Sequence, residues 1–227
     1  MHKERIRIEE KALKINEETA MKNRQRFVKE GVLVVNLMGA PGSGKTALLE
    51  SLIPKLLKDG VKVAVIEGDV AGDSDSLRIR RIGAVAHQIN TYGACHLLAE
   101  QVEHAYEHLL EEVDSSPDIL FIENVGNLVC PAEFDLGESL RVVVYSVPEG
   151  EDKPLKYPLM FLRSQVVVLN KSDIGRYAGC DIEGLRRSVL TVNPAATVFI
   201  TAAKTGEGVE KLAEWLKERT LNNRKTP

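Results

Sequence analysis

The sequence predicts an α/β protein of three layers: a mostly parallel central sheet with helices on both faces. Three observations lead there. Six apolar, β-branched runs recur at 32–38, 61–67, 118–124, 141–147, 165–170 and 197–202. Amphipathic segments such as KTALLESLIPKLLKD, CHLLAEQVEHAYEHLLEEV and GEGVEKLAEWLKERT separate several of them. The runs are continuously apolar, as strands buried on both faces are, rather than alternating. A chain of 227 residues can bury one sizeable core, and 28% charged content describes a folded, soluble protein. The formal charge of −3 supplies no basic face, so no nucleic acid partner is expected. Three cysteines are too few for a disulfide framework. The charged N-terminus has no apolar signal region, and no apolar run approaches the roughly 20 residues that span a bilayer. These points predict a cytoplasmic chain with no membrane partner.

Taken in order, residues 3–30 read as one charged helix with Ile8, Leu13, Ile15, Ala20 and Phe27 as apolar candidates, ended by Gly31. The first strand runs into GAPGSGKT (39–46), which fits G-x-x-x-x-G-K-[ST] between a strand and a helix, the setting a P-loop requires. Gly39, Gly42, Ser43 and Gly44 form the loop whose N–H groups converge on phosphates, and Ala47 continues it into the helix. Lys45 is expected at the β- and γ-phosphates and Thr46 on Mg²⁺. Asp69 follows the second strand in IEGDV, and Glu123 ends DILFIEN. Ligands of open parallel sheets bind outside the carboxyl ends of the strands, so both acids are catalytic candidates beside Lys45. Asp69 is assigned to Mg²⁺, and Glu123 to the metal or the attacking water. The loops after them, including Asp73 and Asp75, are candidates for ordering by nucleotide.

The fifth run ends in NKSD (170–173). A carboxylate there can accept from guanine N1–H and the 2-amino group, donors that adenine lacks, so Asp173 selects the base. Asn170, Lys171 and the later Ala203 and Lys204 of TAAKTGEG complete the base site, with the Ala203 N–H facing guanine O6. GTP and GDP are therefore the expected nucleotides. The domains follow as an N-terminal helical extension (1–30), a P-loop GTPase domain (31–221) and a frayed tail (222–227).

Cys95 adjoins His96 in TYGACHLLAE, on a helix expected to open at that pair, and Cys130 stands seven residues beyond Glu123. Two thiolates and an imidazole suit Zn²⁺ or Ni²⁺ rather than Mg²⁺. Three ligands leave a tetrahedral metal one short, and water, His87 or a second chain can complete it. A packed cysteine beside a histidine is the plainer reading of residue type alone. Cys180 has no partner ligand nearby, and His104 and His108 read as part of a solvated helix face among glutamates.

GAPGSGKT, IEGDV, GACHL, FIENVGNLVCPAEFDLG, EGEDKPLKYP and NKSD, in this order, resemble the hydrogenase maturation GTPases of the HypB family from about residue 30 onward. The resemblance implies the SIMIBI class of P-loop NTPases, a GTP-dependent homodimer, and slow Mg²⁺-dependent hydrolysis. It implies nickel delivery to the large-subunit precursor of nickel–iron hydrogenase with a HypA-like nickel chaperone. Cys95, His96 and Cys130 match the family's metal positions. The chain departs from many bacterial members in having no N-terminal CXXCGC motif or His-rich run. Nor has it a second P-loop lysine, since Ala40 and Pro41 stand there, which leaves Lys153 and Lys156 as candidates for contacts to nucleotide or a partner chain. Rival readings are a UreG-like urease nickel-insertion GTPase, against which ENVGNLVCP argues, a metal-binding scaffold with negligible turnover, and an ATP-dependent kinase, which NKSD opposes.

Overall fold

The computed structural model describes the backbone of residues 2–70, 72 and 74–223, with side chains from residue 11 onward. Asp73, the Ile8 side chain and residues 224–227 lie outside the described residues. Among the described residues, the strands β1 (Leu33–Met38), β2 (Val63–Asp69), β3 (Val85–Asn90), β4 (Ile119–Glu123), β5 (Leu140–Ser146), β6 (Val166–Asn170) and β7 (Thr197–Ile200) make one sheet of order β3-β2-β4-β1-β5-β6-β7. Every pairing is parallel, so the sheet is wholly rather than mostly so. Six strands are those the apolar runs predict. The seventh, β3, was not expected. As an edge strand it is half-buried, and its sequence VAHQIN lacks a continuous apolar run.

The helices are α1 (His2–Glu30), α2 (Lys45–Lys58), α3 (Ser74–Arg81), α4 (Ala99–Glu111), α5 (Cys130–Glu133), α6 (Lys153–Lys156), α7 (Pro158–Leu162), α8 (Ser172–Tyr177), α9 (Ile182–Val192) and α10 (Val209–Asn223). Alternate strand side chains fill two faces. Leu33, Val35 and Leu37 of β1 pack with Leu49, Ile53 and Leu56 of α2 and Leu212 and Leu216 of α10. On the opposite face, Val34 of β1 joins Phe27 of α1 and Val102 and Tyr106 of α4, while β5 and β6 meet Phe161 of α7 and Leu185 and Val189 of α9. Each such buried apolar side chain contributes on the order of 1.5–3 kcal/mol.

α1 ends where Gly31 predicts. Gly31 adopts φ 71°, its N–H reaches Val28 O at 3.1 Å, and the Val32 N–H reaches Phe27 O at 2.9 Å, which is a Schellman close. Two helix bounds differ from expectation. Helix α4 opens at Ala99 rather than Cys95, because the Gln101 side chain accepts the Leu98 N–H at 2.9 Å and fixes the first turn there. The chain's last helix runs on to Asn223, so residues 222 and 223 of the expected frayed tail are helical.

Candidate nucleotide and metal site

Both candidate centres lie at the carboxyl ends of the strands. The turn between β1 and α2 depends on missing side chains. Gly44, at φ 92°, begins α2, and a Cβ on it would stand 2.5 Å from Asn170 Nδ2. A Cβ on Gly39 would fall 2.2 Å from Val144 O. The loop therefore wraps against β5 and the end of β6 as only glycine permits. Asn170 Nδ2 donates to Ser43 O at 3.1 Å, tying the phosphate loop to the NKSD loop. Lys171, in the left-handed region at φ 61°, places its Nζ 2.5 Å from Gly42 O.

Two cavities share this loop. The larger, about 820 Å³, is lined by Asn170, Lys171, Asp173, Ala203 and Lys204, all expected at the base, together with Gly44 and Ala47 of the phosphate loop. The smaller, about 490 Å³, is lined by Gly42, Gly44, Lys45, Thr46, Ala47, Asp69 and Glu123, all expected at the phosphates or Mg²⁺. Gly39 and Ser43 line neither and shape the loop from behind, Ser43 being fully buried. The Ala203 N–H, expected to face guanine O6, donates instead to Asn170 Oδ1 at 3.1 Å.

Within the phosphate cavity the Thr46 hydroxyl donates to Glu123 Oε1 at 2.8 Å, and Lys45 Nζ donates to Gly39 O at 3.4 Å. Asp69 Oδ1 accepts the Val70 N–H at 2.7 Å. Two residues that sequence reasoning missed join them. Glu67 on β2 stands directly across from Glu123 on β4, and its carboxyl is pushed up to about 10 by burial and then by the Glu123 charge. Burial also raises Glu123, against the opposing pull of Lys45. Arg78 holds Asp75 at 2.8 Å and Glu50 at 2.6 Å. The quoted IEGDV contained the signal for Glu67, an acid inside an apolar strand. Glu67 Oε1 and Glu123 Oε2 are buried and receive no hydrogen bond from the other described residues. With Thr46 and Asp69 they make an oxygen-only donor set that fits Mg²⁺.

The second centre converges as the sequence suggested. The ligand atoms of Cys95, His96 and Cys130 all lie within 4.8 Å of one another, with Cys95 Sγ 3.5 Å from His96 Nδ1. Cys95 and His96 sit on the loop before α4, and Cys130 opens α5. The His96 ring stacks on Phe134 at 3.7 Å between centroids. Burial lowers the His96 imidazole, favouring the neutral form that ligates, and the Cys95 thiol followed by burial pushes Cys130 up to about 11. Two sulfurs and an imidazole nitrogen fit a soft or borderline cation such as Ni²⁺ or Zn²⁺. His87 does not complete this set. It lies on β3 with its ring stacked on His108 of α4. Cys180 packs partly buried against the α9 face, while His104 and His108 are exposed, as read. Lys153 and Lys156 pair with Glu149 and Asp152 of their own segment.

One residue joins the two centres. The Asn127 N–H donates to Gly39 O at 3.0 Å, the same carbonyl that receives Lys45 Nζ. Its side-chain oxygen accepts the Val129 and Cys130 N–H groups at 2.7 and 3.3 Å, and its Nδ2 lies 3.8 Å from Cys130 Sγ. Asn124, next to Glu123, accepts the Leu97 N–H at 3.2 Å beside His96. Both asparagines were in the quoted ENVGN, but their roles depend on tertiary contacts.

A lysine and a hydroxyl at the start of a helix, turned toward two acids across the crest of a parallel sheet, put the chain in the class of P-loop nucleotide-binding proteins. Residues 33–200 match the CobW/HypB/UreG nucleotide-binding domain. The hydrogenase maturation factor HypB of Rhizobium leguminosarum bv. viciae is 48% identical over 217 residues, covering 95% of this chain and 71% of the relative. The hydrogenase/urease maturation factor HypB of Helicobacter pylori is 39% identical over 224 residues, covering 98% and 91%. A crystal structure of HypB from Helicobacter pylori in complex with nickel superimposes with a TM-score of 0.85 at 38% identity, covering 92% of this chain and 96% of that one. The chain belongs to the CobW/HypB/UreG family, and within it to the HypB hydrogenase maturation factors.

Proposed function

We propose that this chain is a GTP-hydrolysing metallochaperone that gates nickel delivery during nickel–iron hydrogenase maturation. In this reading Asp173 selects guanine, with Asn170, Lys171, Ala203 and Lys204 around the base. The phosphates lie along Gly42–Ala47, and the ion held near Thr46 and Asp69 supplies positive charge to the phosphate oxygens. Glu123 accepts from Thr46 and orients the attacking water, with Glu67 beside it on the adjacent strand. Cys95, His96 and Cys130 hold nickel or zinc as cargo.

The observation that supports gating is the Asn127 link. Phosphate binding draws Lys45 from Gly39 O. The carbonyl is then held by Asn127 alone, and Asn127 also orders the backbone at Cys130. Nucleotide state thereby biases one metal ligand relative to the other two, an effect of differential affinity. Partners in this reading are a second copy in the GTP state, a HypA-like nickel chaperone and the hydrogenase large-subunit precursor, in the cytoplasm. Among the described residues no helix is long and apolar enough to cross a membrane.

The test is to titrate Ni²⁺ and Zn²⁺ into protein loaded with a non-hydrolysable GTP analogue, and then with GDP, while light scattering reports mass. One metal or less per chain, on a dimer, with affinity that depends on nucleotide, supports gated delivery. Equal affinity in both states removes the coupling. Phosphate release beyond one equivalent per chain separates an enzyme from a scaffold. A second reading, delivery to urease as well, is favoured by the name of the Helicobacter pylori relative, which includes both enzymes. Activation of apo-urease by the nickel-loaded chain tests it.

A further inference from the structure

The metal ligands come from two separate crossovers, Cys95 and His96 ahead of α4 and Cys130 ahead of β5. A third element holds these crossovers to each other. Asn16 of α1, 6% exposed, accepts the Ala99 N–H on its Oδ1 at 2.8 Å and donates from Nδ2 to Asp135 O at 2.7 Å. One amide thus bridges the segment three residues after His96 to the segment five residues after Cys130. Asn23, two helical turns on and 2% exposed, repeats the bridge from Nδ2 to Ala99 O at 2.8 Å and Leu136 O at 3.2 Å. Phe134, which stacks on His96, immediately precedes Asp135. The fit is close: a Cβ on Gly137 would stand 2.7 Å from Ala20 O of α1.

We propose that Asn16 and Asn23 are positioning residues for the Cys95–His96–Cys130 centre. In this role α1, although it offers no ligand to the centre, sets the spacing between the two ligand-bearing loops. The inference rests on the reading of that cluster as a metal site. Buried amides suit the task, because each satisfies backbone groups on both loops at once and a shift of either loop leaves one of them unpaired.

The experiment compares full-length wild type with Asn16→Ala, Asn16→Ser and, as a control on the same helix face, Arg24→Ala. Arg24 makes a surface ion pair with the Asp135 side chain, at 2.7 Å, rather than a buried bridge between the two loops. Each protein is titrated with Ni²⁺ alone against a chromogenic chelator, the thiolate-to-nickel charge-transfer band is recorded, and GDP affinity reports the fold. The expected result for Asn16→Ala is metal binding about 10–100-fold weaker with a shifted band, the usual scale for losing a residue that orients ligands. GDP affinity should hold within about twofold, as should the metal affinity of Arg24→Ala, since exposed ion pairs contribute little. Asn16→Ser, which keeps a shorter hydroxyl, is the second variant should Asn16→Ala fail to bind GDP. Unchanged metal affinity and band in the Asn16 variants overturn the proposal, as does an equal loss in Arg24→Ala. Wild type that binds no Ni²⁺ overturns the metal reading itself, a different failure.

Discussion

Glu123 meets two demands at once. It accepts from the Thr46 hydroxyl at 2.8 Å and shares a buried wall with Glu67, so its charge and its placement are fixed by different neighbours. Glu123→Gln should keep GTP affinity and lower the hydrolysis rate by about 100-fold or more, read as phosphate release under saturating GTP. Unimpaired turnover would remove Glu123 from the mechanism. At the base, Asp173→Ala leaves the guanine donors without an acceptor. GDP affinity should fall about 10–100-fold in calorimetry, and the preference over ADP should shrink with it. Residues with a local signature, Lys45, Thr46 and Asp173, were legible in the sequence because strand-to-loop spacing places them. Glu67, Arg78 and Asn127 were not, since each gains its role from a neighbour on another element. Gly39 and Ser43 were read in the phosphate loop; they line neither cavity, and Ser43 is fully buried.

Among the elements, the C-terminal end of α1 has a pH-sensitive anchor. Partial burial pushes the Glu30 carboxyl up, but hydrogen bonds from Tyr106 at 2.6 Å, Arg26 at 3.1 Å and Ser116 at 3.0 Å outweigh it and leave it below the ordinary value of 4.5. A depressed carboxyl stabilises the fold above its unfolded value and loses that contribution as pH falls through its folded value. Thermal melts of Glu30→Gln should therefore show a shallower loss of stability on acidification below about pH 4.5 than wild type. An unchanged acid limb would mean that Glu30 is equally paired in the unfolded chain. Strands buried on both faces announced themselves by composition, whereas β3 did not, because an edge strand can mix His87, Gln88 and Asn90 with apolar residues. The start of α4 was misplaced for a related reason. Leu97 and Leu98 continue the helical pattern backward, and only the reach of Gln101 shows where the first turn begins.

For the whole molecule, the two centres belong to one crest of the sheet and meet at Asn127. Asn127→Ala should keep GTP binding while weakening nickel about tenfold and narrowing the difference between the GTP and GDP states, measured by the same titration. A variant with intact nucleotide dependence would move the coupling to Asn124 and the Leu97 backbone. The α/β architecture was readable from strand and motif order, and so was the convergence of Cys95, His96 and Cys130. The Asn127 link was not, because it joins Gly39 to the Cys130 segment through contacts between distant parts of the chain. The α1 bridge has a consequence for biosynthesis. Asn16 leaves the ribosome early, yet its carbonyl partner Asp135 lies 119 residues later in the chain. Contacts of such separation close late in folding. A nascent or half-built chain therefore offers Cys95 and His96 without the α1 bridge that spaces them from Cys130, so under the proposed metal reading the site is completed only with the finished domain.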